Sequence, residues 1–262
     1  MKEDDKRKTG VSVVIPTYNR PDYLERILRC ISSQTRKVDE IIVINDNSDN
    51  LAEYSSVIEA FRNEMEIRYI VNEKNMGAPC CRNIGIRKSR YCYLALTDDD
   101  DEWKNDKIEK QLKVMQSGNY GLLYTYGTAV DEDGKEIYRF EGQENNLQSL
   151  LRKNFIPSSS VMVSYEAISR AGMFDLQMPS CQDWDMWIRI ISLGYAFKGI
   201  EEPLVVYHKH ERGSIGTGTK AEEGYRLYYR KHLPKYIRYF LFTKDIKYAL
   251  YAAKMAIRHT KK

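Results

Sequence analysis

The chain of 262 residues is 42% hydrophobic and 30% charged, which suffices for one sizeable core. No apolar run reaches the ~18 residues of a spanning helix, and the charged start MKEDDKRKTG lacks an apolar signal core, so a cytoplasmic protein is expected. Five cysteines, odd in number and without a CxxC pair, point to neither a disulfide framework nor a zinc knuckle. The net charge of +4 hides an asymmetry. From Thr219 to Lys262 twelve Lys or Arg face three acidic residues, a surplus of nine that leaves the remainder at −5.

Val11 to Ile15 (VSVVI) is a β-branched run suited to a strand buried on both faces, which Pro16 should stop. Pro21 sits where a helix can begin, and Asp22 and Glu25 suit its positive end. Leu24, Ile27, Leu28 and Ile31 give that helix one apolar face. Glu40 to Ile44 predicts a second strand, ending in a polar loop from Asn45 to Asn50. A helix around Ala52 to Arg62, a strand from Ile67 to Val71, a helix within Gly77 to Lys88 and a strand from Tyr91 to Leu96 follow. This alternation predicts a parallel sheet covered on both faces, whose ligands bind beyond the carboxyl ends of its strands. PTYNR (16–20), NDNSDN (45–50) and TDDDD (97–101) all fall on that edge.

Past Trp103 the alternation breaks. Gly121 to Val130 and Glu136 to Phe140 read as a hairpin around DEDGK, Val161 to Ser164 as a strand and Tyr165 to Ala171 as a short helix. Trp184 to Leu193 has helical spacing, and Leu204 to Tyr207 reads as a last strand. With no linker between the halves, this part is a mixed extension of the same sheet.

The four consecutive aspartates, Asp98 to Asp101, repel one another unless a cation offsets them. Mg²⁺ or Mn²⁺ prefers carboxylate oxygens and often takes only one or two from protein, with phosphates supplying the rest. Asp98 and Asp100, two apart, point to one side of an extended chain. The plain alternative is a solvated acidic turn capping a helix that starts near Asn105. GxGxxG and GxxxxGK[ST] are both absent, so a nucleotide diphosphate would be held by metal and basic side chains. Metal with diphosphate suggests a reaction in which phosphate departs.

Five segments, VSVVIPTYNRPDYLERIL, EIIVINDNS, NMGAPCCRNIGI, TDDDDEWKNDKIEKQ and QDWDMWIRI, resemble in order and spacing the family 2 glycosyltransferases. The likeness spans residues 10–212 and is to bacterial members that build capsular, cell-wall or lipopolysaccharide glycans. It implies an α/β, GT-A-like, Rossmann-type mixed sheet flanked by helices over residues 1–218; residues 219–262 fall outside it and read as a basic helical extension. It also implies inverting, metal-assisted transfer of a sugar from a nucleotide diphosphate sugar, UDP-sugars favoured, to a hydroxyl of a glycan or lipid-linked acceptor.

On this likeness Pro16, Thr17, Tyr18 and Arg20 lie against the nucleoside. Asp46 hydrogen-bonds the base, with Asn45 where the family usually carries another aspartate. Arg82 and Asn83 match an RN pair near the nucleotide. Asp98 and Asp100 match the ends of a DxD motif, the last on the metal and the first on ribose or a metal-bound water, with Asp99 in support on the nucleotide side. Asp183 falls on the family's general base, and Gln182 replaces the usual glutamate before it, a lost like charge that would weaken the base. Asp183 equally suits the N-cap of the helix from Trp184. Asp185 reads as stabilising that helix start, and Trp184 and Trp187 as core, with one of them open as a floor for the acceptor. In YHKHERGSIG, His210 matches a metal-ligating histidine better than His208, while Lys209 and Arg212 suit the diphosphate.

The basic tail, interleaved with Tyr, Phe and Leu, has no match in the likeness. It suits peripheral contact with an anionic membrane at the inner face of the cell, packing on the catalytic body, or a dimer contact; no nucleic-acid partner is expected. A nucleotidyltransferase is the nearest other enzyme, but PTYNR supplies no glycine- and lysine-bearing phosphate motif. An inactive glycan-binding or scaffold protein is the non-enzymatic alternative, and retention of Asp46, Asp98, Asp100 and Asp183 argues against it.

Overall fold

A computed structural model describes residues 7–209, 218–244 and 246–257. The first strand, β1 (Lys8–Thr17), is buried without a break from Gly10 onward because both of its faces are covered. It extends past Pro16, which was expected to end it. The reason lies in the ladder: Asp46 donates its backbone N–H to Thr17, whereas the pairing on the other side stops at Val14 with Leu96. Pro16 would turn its missing N–H toward that vacated side, so no ladder bond is lost.

The chain continues through α1 (Pro21–Ser32), β2 (Glu40–Asn45), α2 (Leu51–Phe61), β3 (Ile67–Val71), α3 (Ala78–Lys88) and β4 (Tyr91–Leu96). Then come β5 (Glu102–Trp103), α4 (Lys107–Ser117), β6 (Tyr120–Val130), β7 (Glu136–Phe140), α5 (Leu147–Arg152), β8 (Met162–Ser164), α6 (Tyr165–Arg170), α7 (Gln182–Ser192), β9 (Ala196–His208), α8 (Gly218–Thr243) and α9 (Ile246–Ile257). Among the described residues the strands form one sheet in the order β3-β2-β1-β4-β8-β6-β9-β5, with β7 on β6. The first four strands run parallel, and β8 pairs antiparallel with both β4 and β6. The mixed extension is therefore continuous with the parallel half. β5 and α5 are too short to show a period in sequence, although Asn146 caps α5 by accepting from Ser149 N–H at 2.8 Å.

The period of two along β1 sorts its side chains between two cores. Val13 and Ile15 face α1, α2 and α4, where Leu24, Ile27, Tyr54, Ile58 and Ile108 close one core. Val14 faces the other, shared with Ile86, Trp184, Trp187 and Ile188. That second core also contains Tyr228, Tyr229 and Tyr236 of α8 and Ala252 of α9. The basic extension thus folds back and completes the body's core, the packing alternative given for it above. Among the described residues no helix is long and apolar enough to cross a membrane.

Candidate active site

The carboxyl ends of β1, β2 and β4 open into a cleft of about 1440 Å³. That exceeds the ~300–1,000 Å³ of an ordinary small-molecule pocket and leaves room for two substrates. Pro16, Thr17, Tyr18, Arg20, Asp46, Arg82 and all four consecutive aspartates line one side. Asn154 to Ser159, Cys181 to Trp184, Tyr207 to Lys209 and Tyr225 line the other.

Asp46 follows β2 and is 4% exposed. Its Oδ1 accepts from Met76 N–H and Asn72 Nδ2, both at 2.8 Å, and its Oδ2 accepts from Gly77 N–H at 2.7 Å. Gly77 turns its N–H inward at a φ of 83°, a conformation glycine adopts without strain. The buried Cys81 thiol also contacts this carboxylate. Asn45, in the position noted as a departure, donates to the Tyr69 hydroxyl at 2.7 Å and accepts from Ser48 N–H at 2.8 Å. It braces the loop.

The aspartates alternate as an extended chain requires. The side chains of Asp98 and Asp100 are 32% and 18% exposed, while Asp99 and Asp101 are buried. Asp98 pairs with Arg82, itself buried over the Phe174 ring, and Asp100 pairs with Arg20 at 2.6 Å. Asp99 accepts from the Thr17 hydroxyl and is bridged to Arg20, each at 2.7 Å. Burial still pushes the Asp99 carboxyl up to about 7, against the lowering effect of Arg20. Burial likewise raises Asp101, whose carboxylate accepts from Ser159 Oγ and from His208 N–H. The acidic stretch is therefore no solvated turn: two carboxylates are structural and two face the cleft.

Asp183 stands across the cleft, partly exposed to it. Its Oδ2 accepts from Asn154 Nδ2 at 3.0 Å and its Oδ1 from Trp184 N–H at 2.7 Å. Burial raises its pKa above the ordinary carboxylate value, outweighing those hydrogen bonds and the Arg82 charge. The weakening expected from Gln182 is thus countered by desolvation. The Gln182 amide donates to the Met178 carbonyl at 3.1 Å. Asp183 is not the N-cap: the helix starts at Gln182, two residues before the expected Trp184, with Cys181 at the N-cap and no side-chain cap.

Other expected residues are placed elsewhere. Asn83 spends its amide on the Phe174 backbone, donating at 2.8 Å and accepting at 2.9 Å, and so braces α3 and does not reach the cleft. Asp185 does more than stabilise a helix start: fully buried, it is held by Arg189, Lys231 and His232 at 2.8–2.9 Å. Burial alone would raise its pKa, but those three partners hold it well below the usual carboxylate range. Trp187 is core, its indole N–H donating to the Ile156 carbonyl. His208 is engaged by Glu102 at 2.8 Å. His210 and Arg212 lie outside the described residues.

Two wall residues had no signal in the sequence. Asn154 comes from the irregular stretch that follows α5. Tyr225 comes from α8, with its ring edge-on to Trp184 at 6.5 Å. Gly224 makes that approach feasible, since a Cβ there would lie 1.9 Å from Ser180 Oγ. Among the described residues no three of His, Cys, Asp and Glu gather into a complete metal cage. Asp98 and Asp100 nevertheless fit a hard cation that draws its remaining oxygens from a diphosphate.

Comparison with known proteins fits this arrangement. The Glycosyl transferase family 2 model matches residues 12–174. The chain belongs to that family. An uncharacterized glycosyltransferase of Methanocaldococcus jannaschii is 30% identical over 227 residues, covering 84% of this chain and 78% of its own. The amylovoran biosynthesis glycosyltransferase AmsB of Erwinia amylovora is 27% identical, covering 80% and 73%. Among solved structures, residues 1–349 of S. aureus TarS in complex with UDP-GlcNAc superpose with a TM-score of 0.71 at 16% identity. That match covers 86% of this chain and 67% of the TarS fragment, so the GT-A glycosyltransferase fold is shared.

Proposed function

We propose that this family 2 glycosyltransferase is an inverting enzyme of polysaccharide biosynthesis. Its donor is a nucleotide diphosphate sugar, UDP-sugars favoured, and its acceptor a hydroxyl of a glycan or lipid-linked glycan. The observation that carries this reading is Asp183, a desolvated carboxylate held by Asn154 and Trp184 N–H across the cleft from Asp98 and Asp100. A base works best with a pKa brought toward the operating pH, and burial moves Asp183 in that direction.

The acceptor hydroxyl gives its proton to Asp183 as its oxygen bonds the anomeric carbon from the face opposite the donor phosphate. The carbon–oxygen bond to phosphate breaks, and its electron pair leaves with the nucleoside diphosphate. Asp98 and Asp100 would hold Mn²⁺ or Mg²⁺, which supplies charge stabilisation to the departing diphosphate. Arg20 and Arg82, now paired with these aspartates, are placed to meet the phosphates when the carboxylates take the metal. Asp46, in the lining of the cleft, would accept from a base N–H, and Tyr18, 44% exposed at the mouth, offers its ring. The UDP-GlcNAc bound by TarS, and the polysaccharide named for AmsB, support the donor and product classes.

Asp183→Asn tests the reading, because it preserves shape and one oxygen but takes no proton. Calorimetry should give unchanged UDP affinity, while transfer to acceptor falls by about two to four orders of magnitude. Transfer within a few-fold of the parent would remove Asp183 from the chemistry.

A further inference from the structure

Away from the cleft, exposed apolar side chains gather at the far end of the C-terminal helix pair. Leu241 and Phe242, 72% and 84% exposed, lie in the last turn of α8, and Ile246 and Leu250, 56% and 64% exposed, open α9. Ile237, 46% exposed, sits one turn before Leu241. Residues four apart share a helix face, so Ile237 with Leu241, and Ile246 with Leu250, form two apolar ridges that meet at the turn. The other side of α9 is committed to the body: Ala252 is buried, and the Tyr248 hydroxyl donates to the Arg152 carbonyl at 2.9 Å.

Cations surround the ridges. Arg238, Lys244, Lys247 and Lys254 are all exposed, and residues 237–257 carry a single acid in sequence, Asp245. On α9 itself, IKYALYAAKMAI, there is none. We infer that this turn seats the protein on an anionic lipid bilayer, with Leu241, Phe242, Ile246 and Leu250 entering the interface and the cations meeting lipid phosphates. A second copy of the chain is the competing occupant. A two-fold contact through α9 would bring Lys247 and Lys254 of one copy toward the lysines of the other with no acid on that helix to offset them. An anionic bilayer presents the same lysines with opposite charge. The inference deepens the lipid-linked acceptor class proposed above and rests on that reading for its purpose, while its evidence lies outside the cleft.

The test uses the full chain with sedimenting vesicles of phosphatidylcholine alone or mixed equally with phosphatidylglycerol. Binding to the mixed vesicles, little binding to the neutral ones, and loss of binding at high salt are expected. Phe242→Asp with Leu250→Asp, and separately Lys247→Glu with Lys254→Glu, should each weaken binding by at least about tenfold. These positions are exposed, and circular dichroism with UDP calorimetry on each variant reports the fold and the cleft. Absence of binding by the parent chain, or binding indifferent to both pairs, overturns the inference. So does a parent dimer that Phe242→Asp with Leu250→Asp dissociates while vesicles are ignored. Intact UDP binding in a protein that ignores vesicles leaves the transferase reading standing, and vesicle binding without UDP binding would fail that reading alone.

Discussion

Replacing Tyr228 by alanine decides whether α8 belongs to the catalytic body. Tyr228 is fully buried, its ring stacked on Trp184 at 4.0 Å with an interplanar angle of 21°. Its hydroxyl meets that of Tyr236 at 3.2 Å. Truncating a buried aromatic side chain to alanine costs about 3–5 kcal/mol, and a lost aromatic pair adds about 0.5–1.5 kcal/mol. Tyr236 keeps its bond to the Leu151 carbonyl, so no buried hydroxyl is orphaned and the total is about 3.5–6.5 kcal/mol. For a domain of this size that lowers the melting temperature by about 7–26 °C. Tyr228→Phe should cost only about 1 kcal/mol. Phe242→Ala, at an 84% exposed position on the same helix, should stay within about 0.5 kcal/mol. Urea unfolding of the three variants beside the parent gives the comparison. A Tyr228→Ala variant no less stable than Phe242→Ala would mean that α8 does not pack on α7 as described, and the tail would revert to a separable extension.

Tyr225→Ala should leave UDP affinity unchanged and lower transfer about tenfold through a raised acceptor KM, equivalent to about 1.4 kcal/mol, with Tyr225→Phe retaining most activity. A fall in UDP affinity instead would move Tyr225 to the donor side. Asp100→Ala should abolish the gain in UDP affinity that Mn²⁺ gives the parent, read by calorimetry with and without chelator. Equal affinities for parent and variant in Mn²⁺ would take Asp100 out of metal binding.

The cleft's acidic side was legible in sequence because its determinants are local. A buried strand ending in polar residues puts those residues on one edge, and the period of two sends Asp98 and Asp100 one way and Asp99 and Asp101 the other. What each then meets was not legible. Thr17 reaches Asp99 from a position 82 residues away, and Asn83 reaches Phe174 across 91. A motif position near a nucleotide site and a brace behind it look alike until the partner is placed. Pro16 was misread for a similar reason: whether a proline ends a strand depends on whether a neighbour still pairs there.

Packing on the body was one of three readings of the tail, and its charge could not choose among them. Tyr228, Tyr229, His232 and Tyr236 recur at helical spacing and mark a buried face, yet every one carries a polar atom, so the stripe does not read as apolar. Burial becomes affordable only because partners are supplied: Tyr236 for the Tyr228 hydroxyl, the Leu151 carbonyl for Tyr236, and Asp185 for His232. Asp185 in turn lies two residues past Asp183. The helix carrying the proposed base is therefore anchored by the segment that sequence alone set apart from the site. Any variant that loosens α8 should reach Asp183 through α7, whereas one confined to the exposed turn at Phe242 should not.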